Sequence, residues 1–203
     1  MYFFPPLNKT GVSNKSACII SPDICVFDYG QPNDDGMIKI KEAKPLSSEI
    51  YRSVVGSLLY LAMSTRPDIA YPVSLMSRKL NNATEINWEI VQTTLRYLRS
   101  TIEPDIVYNN EDDRSLMLFS DADNNSCAET RKSRTGAISF YGGGAITWRS
   151  KLQEAISNSM TEVEKMAAAD ATKDLIWLKS LFSEIANNVS LPILQIDDQS
   201  TIK

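Results

Sequence analysis

The feature that most constrains this chain is a change in the spacing of its apolar residues close to Pro104. Before this point apolar residues recur every three or four positions, which is typical of helices that bury one face. After it, short apolar runs indicate strands, and one long helical stretch lies between the third and the fourth of them. The chain therefore combines a helical region with an α/β layer.

Three helices are predicted before Pro104. They run from Ser48 to about Ser64, from Pro67 to about Leu80 with a kink at Pro72, and from Thr84 to Pro104. The apolar stripes of the first and third helices are Ile50, Val54, Leu58 and Leu61, and Ile86, Ile90, Val91, Leu95 and Leu98. Residues 1–46 are rich in Pro, Gly and Asn and predict loops and irregular structure.

Four strands and one long helix are predicted after Pro104. The strands are 115–122, 135–141, 145–149 and 192–197. Gly142, Gly143 and Gly144 predict a tight hairpin link between two of them. The helix runs from Met160 to Ile185, with a stripe formed by Val163, Ala167, Ala171, Leu175, Leu178, Phe182 and Ile185. The expected fold class is α/β: three antiparallel strands, a long helix and a parallel fourth strand, preceded by a small helical region.

The composition excludes several kinds of catalytic site. The chain contains no histidine, and its three cysteines form no CxxC pair. Zinc sites, a disulfide framework and Ser-His or Cys-His hydrolysis are therefore poor interpretations. Any catalysis must rest on carboxylates and on a metal that they hold. The formal net charge of -4 argues against strong nonspecific nucleic-acid binding, although it leaves a local basic face open.

Two acidic pairs stand at the carboxyl ends of predicted strands. Asp121 and Asp123 end the first strand, and Asp197 and Asp198 end the fourth. Ligands bind at this edge in open α/β sheets, and carboxylates that meet there need a divalent cation to neutralise them. Spacing alone leaves the alternative that these acids are ordinary strand-end and turn residues.

Seven sequence blocks follow one another in a fixed order. They are YRSVVGSLLYLAMSTRPDIAYPVSLMSR (51–78), WEIVQTTLRYLRST (88–101), FSDAD (119–123), RKSRTGAISFYGGGAITWRSKLQ (131–153), TEVEKMA (161–167), IWLKSLF (176–182) and DDQSTI (197–202). Together they closely resemble the C-terminal part of the Pol polyprotein of copia-type retrotransposons. LNKTGVSNKSACIISP (7–22) resembles the preceding segment of that family.

The resemblance implies a domain organisation. Residues 1–46 correspond to an irregular segment at the palm/thumb junction of the reverse transcriptase. Residues 47–110 correspond to its helical thumb and connection region. Residues 111–203 correspond to an RNase H-like domain with a mixed sheet, which the chain truncates at its C-terminus.

The family's activity is hydrolysis of the RNA strand in RNA/DNA hybrids, with two Mg²⁺ or Mn²⁺ ions held by carboxylates. Motif matching assigns the catalytic, metal-binding roles to Asp121, Glu164 and Asp197, with Asp198 as an additional ligand candidate. Periodicity alone cannot choose Glu164 over Glu162. The resemblance places a fourth carboxylate beyond the end of the chain, so we expect the isolated chain to cleave a hybrid negligibly.

Three residues near these acids depart from the family pattern. Asn124 replaces a tryptophan, Lys165 replaces an aromatic residue, and Asp198 replaces an asparagine. Lys165 would compete with a cation held by its neighbour, unless it lies on a solvated helix face. The departures keep an alternative open, namely a catalytically lapsed or domesticated remnant that acts as a noncatalytic binding or structural module.

Basic residues are candidates for contacts with the phosphates of a template-primer or a hybrid. They are Arg66, Arg96, Arg99, Arg131 and Lys132. Surface or ion-paired roles are the alternative. The implied partners are an RNA/DNA hybrid and the upstream polymerase region of the same polyprotein. The sequence predicts no membrane span and no secretory signal. The expected location is therefore intracellular, in a cytoplasmic particle or the nucleus by resemblance.

Overall fold

A computed structural model of the protein describes residues 48–103, 105–109, 115–127, 129–185 and 191–196. These residues form two compact units, one that ends at 103 and one that begins at 105. The predicted irregular segment 1–46 and the acids Asp197 and Asp198 lie outside the described residues. No helix in the described ranges is long and apolar enough to cross a membrane.

The first unit is helical, as predicted. Its elements are α1 (Ser48–Ser64), a 3-10 helix (Pro67–Ile69), α2 (Ala70–Ser77) and α3 (Glu85–Ser100). Tyr51 of α1 donates a 3.0 Å hydrogen bond to the carbonyl of Met76 in α2, so the phenol is satisfied inside the core. The buried core is formed by Tyr51, Val55, Leu58, Ala62, Ile69, Val73, Met76, Ala83, Ile90 and Val91.

The buried face of α1 differs by one residue from the predicted face. Ile50 and Leu61 were expected to be buried and are 59% and 38% exposed, whereas Tyr51 and Ala62 are buried. Leu58 belongs to both faces. Because α1 has apolar residues at neighbouring positions, both faces fit helical spacing, and tertiary packing selects between them.

The second helix begins differently from the prediction. The predicted helix from Pro67 is interrupted earlier than the expected kink at Pro72, where the 3-10 helix gives way to α2 at Ala70. Pro72 lies in the first turn of α2, where backbone N–H groups have no intrahelical acceptor, so proline removes no hydrogen bond. At the start of α3, the backbone N–H of Thr84 donates to Oδ1 of Asn87 (3.0 Å), a capping-box contact.

The second unit contains a four-stranded sheet and one long helix. Its elements are β1 (Met117–Asp123), β2 (Arg134–Tyr141), β3 (Gly144–Leu152), α4 (Met160–Ile185) and β4 (Ile193–Ile196). The strand order is β3-β2-β1-β4. β1 and β3 are antiparallel to β2, and β4 is parallel to β1. The predicted α/β fold with an RNase H-like mixed sheet is confirmed.

The glycine run makes the predicted hairpin. Tyr141 pairs with Gly144, and the two residues between them, Gly142 and Gly143, have φ angles of 58° and 77°. A two-residue hairpin turn of this kind needs left-handed backbone at both positions, which glycine adopts without strain.

One face of the sheet is covered by α4. The apolar stripe predicted for this helix is buried from Val163 to Leu178, whereas Ile185 is 73% exposed. Phe182 is half-buried against the ring of Tyr141 (4.4 Å between centroids). The carboxyl-terminal end of the stripe therefore extends past the core.

Residues 105–109 lie with the sheet unit, although the predicted limit of the helical region was 110. The N–H of Asn109 donates to the carbonyl of Gly142 (2.7 Å), and the hydroxyl of Tyr108 donates to the carbonyl of Ala145 (2.8 Å). The ring of Tyr108 occupies the space that a Cβ on Gly144 would need. This segment is therefore held on the β2–β3 hairpin.

Candidate functional site

The first predicted acid, Asp121, lies near the carboxyl end of β1. Its Cα pairs with that of Gly136 in β2. The side chain is half-buried, and its Oδ1 accepts a 2.8 Å hydrogen bond from the N–H of Ala122. Ala122 itself packs in a buried cluster with Val163 and Ala167 of α4. Asp121 thus precedes one of the residues at which β1 packs against the helix.

The second predicted acid, Glu164, lies in the second turn of α4, directly after Val163. Its side chain is only 6% exposed. Asp121 and Glu164 are each adjacent in sequence to a member of the same buried cluster, and consecutive Cα atoms lie about 3.8 Å apart. The fold therefore brings the backbone of these two acids to the same end of β1.

The alternative acid, Glu162, has a different role. Its Oε2 accepts from the N–H of Asn158 (2.9 Å), and its own N–H donates to Oγ of Ser159 (3.2 Å). These contacts resemble a capping box and stabilise the start of α4. Glu162 and Lys165 are both exposed, whereas Glu164 is buried. The helix therefore turns Glu164 toward the protein interior and Glu162 and Lys165 toward solvent.

The third predicted acid, Asp197, and its neighbour Asp198 lie outside the described residues. In the described strands, Ile196 pairs with Ser120, and these two residues precede Asp197 and Asp121. Whether three carboxylates converge stays a prediction.

No group of three or more His, Cys, Asp or Glu side chains that could hold a metal occurs among the residues that the structure describes. Asp121 and Glu164 nevertheless offer carboxylate oxygens, which are the donors that Mg²⁺ prefers in proteins. The chemistry of these two donors fits the ions that the resemblance implies.

Asp123, two residues after Asp121, lies opposite a buried cation. Its cross-strand partner is Arg134 of β2, whose side chain is 2% exposed and donates from Nη1 to Oγ of Ser150 (3.3 Å). Burial raises the pKa of Asp123 above its ordinary value, and the charge of Arg134 opposes this rise. The end of β1 is therefore a partly dehydrated environment in which charge is costly.

Gln153 is a buried polar residue near these acids that the sequence did not identify. It follows β3 directly and lies between β2 and α4, with side-chain hydrogen bonds to both. The available signal was its place at the end of the block 131–153, where a polar residue follows a predicted strand. Its burial depends on contacts between distant segments, which periodicity does not report.

The basic residues that were predicted to contact nucleic acid differ in accessibility. Arg66 donates from Nη2 to Oδ2 of Asp68 (2.6 Å) and from Nη1 to the carbonyl of Thr101 (2.8 Å), and its side chain is 14% exposed. This arrangement favours a structural role for Arg66. Arg96, Arg99 and Arg131 are exposed, and Lys132 is half-buried.

No protein-family profile matches the chain. It is 39% identical over 163 residues (80% of the chain) to the Retrovirus-related Pol polyprotein from transposon TNT 1-94 of Nicotiana tabacum. It is 36% identical over 142 residues (70% of the chain) to the Retrovirus-related Pol polyprotein from transposon RE2 of Arabidopsis thaliana. The chain spans 12% and 10% of the length of these two relatives.

A further relative is much shorter. The chain is 36% identical over 128 residues to the Secreted RxLR effector protein 161 of Plasmopara viticola. The match covers 63% of the chain and 90% of that protein.

Proposed function

Because this chain is homologous to retrotransposon Pol polyproteins, we propose that it carries the end of the reverse transcriptase and the RNase H domain of such a polyprotein. The activity of the proposed domain is metal-dependent hydrolysis of the RNA strand in RNA/DNA hybrids during reverse transcription. The antiparallel β1-β2-β3 sheet, the long helix α4 and the parallel strand β4 support this proposal.

The observation that carries the proposal is the burial of Glu164 beside the end of β1. A glutamate side chain is rarely buried, because removing a carboxylate from water is costly unless the charge is compensated. Glu164 is 6% exposed and follows Val163, which packs in one cluster with Ala122. Asp121 and Glu164 therefore place two carboxylates at the same end of β1, where they would be ligands for a divalent cation.

In the proposed site Asp121, Glu164 and Asp197 would hold two Mg²⁺ or Mn²⁺ ions, and Asp198 is a further candidate ligand. The ions would supply a nucleophilic water and stabilise the leaving oxygen at the scissile phosphate. The protein's own contribution is to fix the carboxylates on a strand and a helix, which hold their positions better than a loop does. The proposed partners are the hybrid and the upstream polymerase region of the polyprotein.

The proposal is tested by titrating the purified chain with Mn²⁺ at low salt. Electron paramagnetic resonance monitors the binding. We expect Asp121→Asn and Glu164→Gln to weaken Mn²⁺ binding by more than about tenfold, since each removes a ligand charge. Glu162→Gln is the matched control, because it changes a helix-capping carboxylate of the same helix and should leave the affinity unchanged. Binding that all three variants retain would contradict the proposed site.

A second experiment concerns the reaction. A labelled RNA/DNA hybrid is incubated with the chain and Mg²⁺ at low salt, beside the Asp121→Asn variant. Cleavage by the chain that disappears in the variant would support the enzyme function directly, and it would contradict the expectation that the isolated chain is inactive. Low salt is needed because a chain of net charge -4 holds a polyanion only through local contacts.

A second candidate function is a noncatalytic binding or structural module. The observation that favours it is the match to 90% of a short protein named as a secreted effector, in which this region makes up nearly the whole chain. In this case a hybrid would bind equally well to the parent chain and to Asp121→Asn, with and without Mg²⁺. A Mg²⁺ requirement for binding would count against this candidate.

A further inference from the structure

Gln153 joins the two elements that carry the candidate acids. Its side-chain Nε2 donates to Oγ1 of Thr135 in β2 (3.0 Å) and to the carbonyl of Val163 in α4 (3.1 Å). Its backbone N–H donates to the carbonyl of Ser133 (2.8 Å), which fixes the start of the side chain. The residue is 7% exposed, so these contacts form away from water.

Both side-chain partners are adjacent to the candidate site. Thr135 is the cross-strand partner of Ala122, which follows Asp121. Val163 precedes Glu164 in α4. One buried amide group thus connects the rung of the sheet beside Asp121 with the helical turn that carries Glu164.

The orientation of the Gln153 amide follows from its partners. A backbone carbonyl can only accept, so the nitrogen must face Val163. Oε1 is then left buried and without a hydrogen-bond partner among the described residues. Since an unpaired buried acceptor is unfavourable, the glutamine is explained by the two hydrogen bonds that Nε2 donates and not by the volume of the side chain. Packing alone therefore does not explain why this position carries a glutamine.

We propose that Gln153 is a positioning residue that sets the distance between Glu164 and Asp121, and so tunes divalent-cation affinity at the end of β1. It acts through the first turns of α4, which it holds against β2. This inference rests on the proposed function of the same site.

The test compares Gln153→Met with the parent chain. The variant keeps the side-chain volume and removes both donors together with the unpaired acceptor. We expect the Mn²⁺ dissociation constant to rise about tenfold or more, as is usual when a group that orients metal ligands is lost. The thermal unfolding midpoint should change little. A purely structural role would lower the midpoint and leave the affinity of the folded chain unchanged.

Two further variants make the result specific. Thr135→Val removes only one of the two anchors and should raise the dissociation constant in the same direction by a smaller factor. Ser139→Ala is the control, because Ser139 is a buried hydroxyl of the same strand whose 2.6 Å partner is Thr147 of β3. It should leave Mn²⁺ affinity unchanged.

The outcomes separate this inference from the proposed function. Mn²⁺ binding that depends on Asp121 and weakens in Gln153→Met but not in Ser139→Ala supports both. Binding that depends on Asp121 and is unaffected by Gln153→Met and Thr135→Val overturns the positioning role and leaves the site standing. Binding that is absent, or indifferent to Asp121→Asn, overturns both. If Gln153→Met does not fold, Thr135→Val decides in the same way.

Discussion

Nη1 of Arg149 lies 3.0 Å from Oδ2 of Asp174, and this ion pair joins β3 to α4. One helical turn earlier, Asp170 lies 3.7 Å from Nη2 of the same guanidinium. Arg149 thus stands beside two carboxylates of one helix and offsets their mutual repulsion. Because all three side chains are partly exposed, the stabilisation that each pair provides is about 1 kcal/mol or less.

We predict that Arg149→Gln lowers the free energy of unfolding by about 1 kcal/mol at neutral pH, and by less in acid. Burial raises the pKa of Asp174, and the charge of Arg149 opposes the rise, so the substitution raises this pKa further. Because the pKa of Asp174 is higher in the folded state than in the unfolded state, the folded state binds the proton more tightly. The contribution of Asp174 is then fully present below its ordinary pKa and is lost as the pH rises through the folded pKa.

Urea unfolding at about pH 3 and about pH 7 measures this difference. Lys173→Gln is the control, since it removes a cation that is 77% exposed and contacts the same Asp170 at 3.3 Å. It should change stability by less than about 0.5 kcal/mol. An equal loss for Arg149→Gln at both pH values would show that packing, not charge, is responsible.

We predict that Gly144→Ala destabilises the sheet unit by about 1–3 kcal/mol, because the added Cβ would lie 2.5 Å from Cδ1 of Tyr108 and 2.9 Å from the carbonyl oxygen of Val107. Gly56→Ala in α1 is the control. Nothing lies within 4 Å of its Cβ, and alanine stabilises a helix relative to glycine by about 1 kcal/mol. Thermal unfolding checks both, and a neutral Gly144→Ala would contradict the close approach of Tyr108.

Substitution of Arg66 tests whether its hydrogen bonds stabilise the helical unit. We predict that Arg66→Lys lowers the free energy of unfolding by about 1.5–3 kcal/mol, because lysine cannot reproduce contacts with the Asp68 carboxylate and the Thr101 carbonyl together. Arg52→Lys is a suitable comparison, since Arg52 is exposed and contacts Asn81 and the carbonyl of Leu80. Equal small losses for the two substitutions in urea unfolding would argue against a structural role for Arg66.

Substitution of the exposed arginines tests whether they contact nucleic-acid phosphates. We predict that Arg96→Gln and Arg99→Gln each weaken hybrid binding and reduce the slope of log affinity against log salt by about 1, if each neutralises one phosphate. Their folding stability should be unchanged, because both side chains are exposed on α3. Fluorescence anisotropy over a salt series provides the measurement, and an unaltered slope would remove these residues from the interface.

The elements of this fold were predictable where one periodic signal dominated. Only one structure fits the apolar stripe from Val163 to Leu178, namely a helix with one buried face. Only one fits Gly142 and Gly143, namely a tight turn. In α1, neighbouring apolar residues allowed two faces, and only packing chose Tyr51 over Ile50. The start of α2 could not be located from periodicity, because it depended on where a proline removes no helical hydrogen bond.

The candidate site was predictable in part. A resemblance, not periodicity, selected Glu164 over Glu162, and burial and capping contacts now separate their roles. Gln153 could not have been found from local pattern, because its importance depends on hydrogen bonds to β2 and α4. The role of such a polar residue depends on contacts between segments that are distant in sequence, and local sequence patterns do not report these contacts.

The hairpin turn and the β1–β4 pairing have opposite consequences for the kinetics of folding. The turn at Gly142 and Gly143 brings neighbouring segments together, and hairpins of this kind close within microseconds. The parallel pairing of β4 with β1 encloses β2, β3 and α4 in sequence, so it has the larger loop-closure entropy. We therefore expect β4 to join the sheet late in folding, after the hairpin has formed.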